Sequence, residues 1–140
     1  MKNRLITAPI LQYPDFNKIF YLYVDASKHA LGAVLSQYDD KGREHPIAYA
    51  SKKLVGVERN YSVNKMECLA VVWGCEHFQQ YLGMTPFIII TDHTALKWMQ
   101  TAPISGIKAR WIMRLERFNY TIKHRKEKKY LNADFLSRET

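Results

Sequence analysis

Hydrophobic and polar positions alternate with period two in the first half of the chain. Phe20, Leu22 and Val24 alternate with Tyr21, Tyr23 and Asp25, which predicts a strand over 20–25 with one buried face. Gly32 precedes a second apolar run, Ala33-Val34-Leu35. Asp39-Asp40-Lys41-Gly42 is a turn signal, and Pro46-Ile47-Ala48-Tyr49-Ala50-Ser51 reads as a third strand. Three short strands with tight links predict an antiparallel meander. The period then changes. Met66, Leu69, Ala70, Trp73, His77, Phe78 and Tyr81 recur at helical spacing and Gly83 ends the run, so a helix is expected over 62–82. Residues 86–91 are almost continuously apolar, the pattern of a central strand covered on both faces.

Residues 94–100 suit a short helix stopped by Pro103. Residues 107–118 read as a basic amphipathic helix, with Ile107, Trp111, Leu115 and Phe118 inward and Arg110, Arg114 and Arg117 outward. Asn119 to Lys123 forms a fifth strand and Leu131 to Ser137 a last helix. Residues 1–19, with Pro9 and Pro14, read as an extended lead-in. The order is that of an α/β protein with a mixed sheet flanked by helices.

The length of 140 residues fits one domain. Lys and Arg number 21 against 13 Asp and Glu, for a net charge of +8. That excess favours an anionic partner, nucleic acid above all, although a merely basic surface would give the same count. From residue 101 onward ten Lys or Arg face four acids, which makes the C-terminal third the expected track for a phosphate backbone. Arg110, Arg114 and Arg117 form one stripe there, and Arg125, Lys126, Lys128 and Lys129 a basic loop. Cys68 and Cys75 are seven positions apart, roughly 10 Å along a helix, too far for a disulfide; they read as small core residues. No apolar run approaches membrane-spanning length and no charged-then-apolar leader is visible, so a soluble protein is expected.

Four carboxylates invite a chemical role. Asp25 and Asp92 close strand-like runs, and if those strands are parallel neighbours both acids emerge at one sheet edge. Each could instead cap a turn. Glu67 has Val63, Ala70, Val71 and Gly74 as its helical neighbours and so points along an apolar face; a capping box with Asn64 as N-cap is the rival account. Asp134 opens the last helix, where it could simply favour the helix dipole. His124 stands among Lys and Arg, the setting of an ordinary surface histidine, but beside a metal site it could shuttle a proton. Buried acids are rare unless paired or metal-bound, and four together in a basic protein point to Mg²⁺ and a phosphodiester.

The ordered motifs sharpen this. Ala8-Pro9-Ile10-Leu11, Tyr13-Pro14-Asp15-Phe16, Val24-Asp25-Ala26-Ser27, Leu31 to Gln37, Pro46 to Ser51 and Glu58-Arg59-Asn60-Tyr61 come first. Glu67 to Val72, Tyr81-Leu82-Gly83, Thr91-Asp92-His93, Arg110-Trp111 and Asn132 to Arg138 follow. In this order the chain resembles the ribonuclease H domain of gypsy-type LTR retrotransposon Pol polyproteins. The resemblance implies a ribonuclease H-like fold with a five-stranded mixed sheet, its first three strands antiparallel. It implies a connector from a reverse transcriptase over 1–19 and the ribonuclease H domain over 20–140. It also implies Mg²⁺-dependent cleavage of the RNA strand of RNA–DNA hybrids by two metal ions, with Mn²⁺ a plausible substitute. By resemblance the metal ligands are Asp25, Glu67, Asp92 and Asp134, and His124 is the mobile-loop histidine. The expected partners are the hybrid and the polymerase of the same polyprotein, in cytoplasmic virus-like particles. The chain departs from the family after His124, where Lys126 and Glu127 replace a common Pro-Gly, and at Tyr130, where Asn is common. Three other readings stay open: a domesticated or weakened module that binds nucleic acid or protein, a related nuclease or integrase acting on DNA, and a structural spacer.

Overall fold

The computed structural model describes Leu5–Thr7, residues 12–92, positions 95, 97 and 99, and residues 106–124. Its strands are β1 (Leu5–Thr7), β2 (Phe20–Ala26), β3 (Ala30–Tyr38), β4 (Glu44–Lys53), β5 (Phe87–Thr91) and β6 (Tyr120–His124). Its helices are a 3₁₀ turn at Gly56–Asn60, α1 (Val63–His77), α2 (Gln79–Leu82) and α3 (Gly106–Leu115). Positions 95, 97 and 99 are also helical, inside the short helix expected over 94–100. The predicted helix over 131–137 lies outside the described residues.

All five expected strands form one mixed sheet, and the lead-in adds a sixth. The order is β1-β4-β3-β2-β5-β6. β2, β3 and β4 make the antiparallel meander, while β5 runs parallel to β2 and β6 parallel to β5. β1 pairs antiparallel with β4 at the far edge. Three residues within a Pro-bearing segment carry too little alternation to announce a strand, so the pairing with β4 came only with the fold.

The strand covered on both faces is β3, not β5. Ala30 to Gln37 of β3 are all buried. In β5, Phe87, Ile89 and Thr91 are buried, but Ile88 and Ile90 are only half-buried. A continuous apolar run does not distinguish a central strand from one next to an edge.

Phe20, Leu22, Val24, Leu31, Ala33, Leu35, Phe87 and Ile89 join α1 in the main core. Each fully buried aliphatic or aromatic side chain there contributes about 1.5–3 kcal/mol. On the opposite face the register lines up a thinner row, Tyr49, Val34, Tyr23 and Ile90. α1 packs closely on β2 through Gly74, where a Cβ would stand 3.0 Å from Val24 Cγ1 and 3.4 Å from Leu22 Cδ2. The single helix predicted over 62–82 is broken at Phe78, which caps α1 and precedes the short α2. α3 lies on α1, with the Trp111 ring 6.0 Å from Tyr61. Trp111, Leu115 and Phe118 are buried as predicted, and Ile107 is half-buried. Lys108, on the same helix, is only 2% exposed.

Candidate active site

The parallel pairing of β2 with β5 positions the first two acids. Phe20, Tyr21, Leu22 and Tyr23 stand opposite Phe87, Ile88, Ile89 and Ile90. The same register carried to the strand ends sets Asp25 beside Asp92. Strands lie about 4.8 Å apart, so these are neighbouring positions on one edge. Asp25 is half-buried and Asp92 exposed. Across the other ladder Asp25 faces Gly32, which carries no side chain.

Glu67 reaches the same edge from α1. The Tyr81 ring of α2 lies 6.0 Å from Phe20, at the start of β2, and Gly74 packs against Val24 and Leu22. α1 therefore runs against the direction of β2. Glu67 shares the sheet-facing stripe with Gly74, about 10 Å nearer the helix start, which carries it past Val24 to the Asp25 end. Glu67 is 4% exposed, so a carboxylate is held in the interior rim of the core. The N-cap of α1 is Ser62, whose hydroxyl accepts the Lys65 N–H at 3.2 Å. Glu67 lies beyond the N3 position, so a capping box built on Asn64 does not account for it. The turn after β2 is likewise capped by another residue: Ser27 Oγ accepts the N–H groups of His29 and Ala30.

His124 ends β6 in register with Thr91, one residue before Asp92. It is exposed and belongs to the sheet edge rather than to the basic loop in which sequence reasoning put it. Three adjacent strands and one helix thus bring the positions of Asp25, Asp92, His124 and Glu67 to one end of the sheet. Asp134, Arg125, Lys126, Lys128 and Lys129 lie outside the described residues.

The helix predicted over 107–118 ends at Leu115, and the three arginines of its stripe, Arg110 and Arg114 on α3 and Arg117 just beyond it, differ in what they touch. Arg114 grips Glu76 of α1 with two hydrogen bonds, Nε to Oε2 at 2.9 Å being one of them. Arg117 Nη2 donates to Gln79 Oε1 at 2.6 Å. The Arg114 guanidinium holds the Glu76 carboxyl below its usual range. Arg110 is exposed and has no ion pair among the described residues. Cys68 and Cys75 are buried and free, and burial pushes the Cys68 thiol up to about 12, which rules both out as nucleophiles.

Among the described residues no three His, Cys, Asp or Glu side chains are gathered into a ready metal cage. An edge of separate carboxylates still suits Mg²⁺, which takes oxygen ligands and uses one or two carboxylates, waters and substrate phosphate rather than a closed protein cage. No helix among the described residues is long and apolar enough to cross a membrane.

A mixed sheet of this strand order, with acids at the ends of two parallel central strands and on the crossing helix, defines the ribonuclease H-like class. Within that class the chain belongs to the family described as the RNase H-like domain found in reverse transcriptase, which matches residues 15–118. It is 43% identical over 139 residues to the retrovirus-related Pol polyprotein from transposon 297 of Drosophila melanogaster, covering 99% of this chain and 13% of that protein. The chain thus spans a small part of the curated relatives it matches. Its fold is similar to the foamy viral protease-reverse transcriptase in complex with double-stranded DNA, at TM-score 0.68 and 18% identity, over 84% of this chain and 25% of that one. It is also similar to LC11-RNase H1 in complex with an RNA/DNA hybrid, at TM-score 0.53 and 18% identity, over 87% and 94%.

Proposed function

We propose that this domain hydrolyses the RNA strand of RNA–DNA hybrids formed during reverse transcription of a retroelement. The observation that carries this reading is the β2–β5 register, which sets Asp25 beside Asp92 at the edge reached by Glu67. Family membership and the hybrid bound by LC11-RNase H1 support it.

Asp25, shared between two sites, would hold Mg²⁺ together with Asp92 and Glu67 on one side and Asp134 on the other. When bound, the ions supply a water of lowered pKa and stabilise the leaving 3′-oxygen; Mn²⁺ can substitute. Glu67, held on α1, would also meet a ribose 2′-OH, the group that distinguishes RNA from DNA. His124, exposed at the strand end next to Asp92, takes up or releases a proton as product leaves.

The test is a labelled RNA–DNA hybrid incubated with the domain, with and without Mg²⁺, beside Asp25→Asn. Metal-dependent cutting of the RNA strand, absent in the variant, is the expected result. Equal cutting by the variant would sink the assignment of Asp25. No cutting by either protein, alone or with its polymerase attached, would favour the second reading, a catalytically weakened binding module, to which Lys126 and Glu127 in the sequence after His124 already lend weight.

A further inference from the structure

About 17 Å of β2 separates Phe20 from Asp25, so the starts of β2 and β5 form a second end to the sheet, remote from the acids. The lead-in crosses this end and is held there by a buried side chain. Gln37, near the close of β3 and 5% exposed, accepts the Asp15 N–H at 2.9 Å through Oε1. Its Nε2 donates to the Asp15 carbonyl at 2.8 Å and to the Lys18 carbonyl at 3.2 Å. Within the loop, Lys18 N–H donates to the Asp15 carbonyl at 3.0 Å and Asn17 N–H to Asp15 Oδ1 at 2.9 Å. Lys18 Nζ pairs with Asp40 at 2.8 Å. One side-chain amide thus satisfies three backbone groups of a surface loop and fixes its shape.

What this loop displays is apolar. Tyr13 is 89% exposed, and Phe16 and Ile19 are exposed as well. Phe16 stacks on Tyr81 of α2 with ring centroids 6.4 Å apart and meets Phe20 edge-on at 5.7 Å. Just past α2, Met84 is 88% exposed. The α2–β5 loop that bears it lies at the same end, because Phe87 pairs with Phe20. Scattered apolar residues on a surface need no anchoring, whereas a cluster on a braced support marks a contact surface. Its size decides the occupant. Four side chains offer far less than the roughly 1,000 Å² that a separate partner needs. A segment tethered beside the patch needs less, because the tether raises its local concentration to about the millimolar range. Three of the four residues belong to the lead-in, which also pairs with β4 as β1. The Pol polyprotein of transposon 297 matches this chain over only 13% of its own length, and the matching family is found in reverse transcriptase.

We propose that Tyr13, Phe16, Ile19 and Met84 form the docking surface for the polymerase segment of the same polyprotein, and that Gln37 holds this surface in shape. The inference rests on the reverse-transcription reading above for the identity of the partner alone. A loop already fixed by Gln37 loses little freedom on contact, which suits a small, tethered interface. The polymerase then rests on the end of the sheet away from the acids and leaves the carboxylate edge open to the hybrid.

The experiment is amide hydrogen exchange read by mass spectrometry, on the domain alone and on the longer Pol chain in which the polymerase precedes it, without nucleic acid or metal. The proteins are wild type, Tyr13→Ser/Met84→Ser, Gln37→Met, and a control that removes exposed apolar side chains elsewhere, Val57→Ser/Met113→Ser. In wild type and control, exchange over 12–19 and 83–87 should slow several-fold when the polymerase is attached. Tyr13→Ser/Met84→Ser should lose that slowing yet exchange like wild type in the domain alone, because both side chains are almost fully exposed. Gln37→Met should speed exchange over 12–19 in the domain alone and reduce the slowing over 83–87 in the longer chain. No slowing in wild type, slowing that survives Tyr13→Ser/Met84→Ser, or an equal loss in the control overturns the surface. So does slowing in the isolated domain that grows with its concentration, which assigns the face to a second copy. Wild-type exchange in Gln37→Met overturns the part given to Gln37. No readout involves cleavage, so a chain that never cuts a hybrid defeats the nuclease reading and leaves the surface to be judged by exchange.

Discussion

The two ends of the sheet both carry acids and use them in opposite ways. At the β3–β4 turn the acids are neighbours in sequence and each is held by a hydrogen bond or an ion pair. Asp39 Oδ1 accepts the N–H groups of Lys41 and Arg43 at 2.9 Å, and Oδ2 lies 2.6 Å from His45 Nε2. Asp40 pairs with Lys18 at 2.8 Å, and Glu44 Oε2 accepts the hydroxyls of Tyr23 and Ser36, both at 2.6 Å. At the other end Asp25, Glu67 and Asp92 come from separate elements far apart in sequence. Local acids stabilise a turn cheaply. Drawing distant like charges to one edge works against their repulsion, and a fold does so where the chemistry needs them.

That contrast can be broken by mutation. Asp92→Asn removes a charge from the carboxylate edge, and cleavage of the hybrid should fall by about 10³-fold, worth roughly 4 kcal/mol of barrier, with the thermal midpoint unchanged. A large loss of melting temperature instead would make Asp92 a structural acid like those of the turn. Glu44→Ala should give the reverse pattern. It strands the hydroxyls of Ser36, which is fully buried, and Tyr23, so chemical denaturation should show a loss of about 2–4 kcal/mol while cleavage by the folded protein stays near normal.

The smallest effect belongs to Asp39. The Arg43 backbone N–H, then His45, hold its carboxyl well below the usual range. A depressed carboxylate stabilises the fold above its unfolded pKa, near 4, and that contribution is lost as pH falls toward the folded value. Between pH 5 and pH 2 the wild-type melting temperature should drop more steeply than that of Asp39→Asn. Parallel curves would show that the turn does not depend on this charge.

Alternation and motif spacing made much of this legible. Strands β2 to β6, α1, α3 and the approach of Asp25 and Asp92 to one end of the sheet could be read from the chain. Local pattern failed where a property depends on contacts between elements. The half-exposure of Ile88 and Ile90 depends on what packs over that face of β5, which an apolar run does not encode. Arg114 reads as an outward cation until α1 brings Glu76 to it. His124 needed the β5–β6 register to become a neighbour of the acidic edge.

Gly74 has a consequence for Glu67. α1 is a stiff rod resting on β2 at the one position without a side chain, with 3.0 Å of clearance to Val24 Cγ1 for any Cβ placed there. Catalytic groups work within about 0.5 Å of their productive positions. A single added methyl at residue 74 consumes most of that allowance, and the rod transmits the offset two turns along to the carboxylate. The clearance under a residue with no chemistry of its own is therefore the gauge block that calibrates the acidic edge.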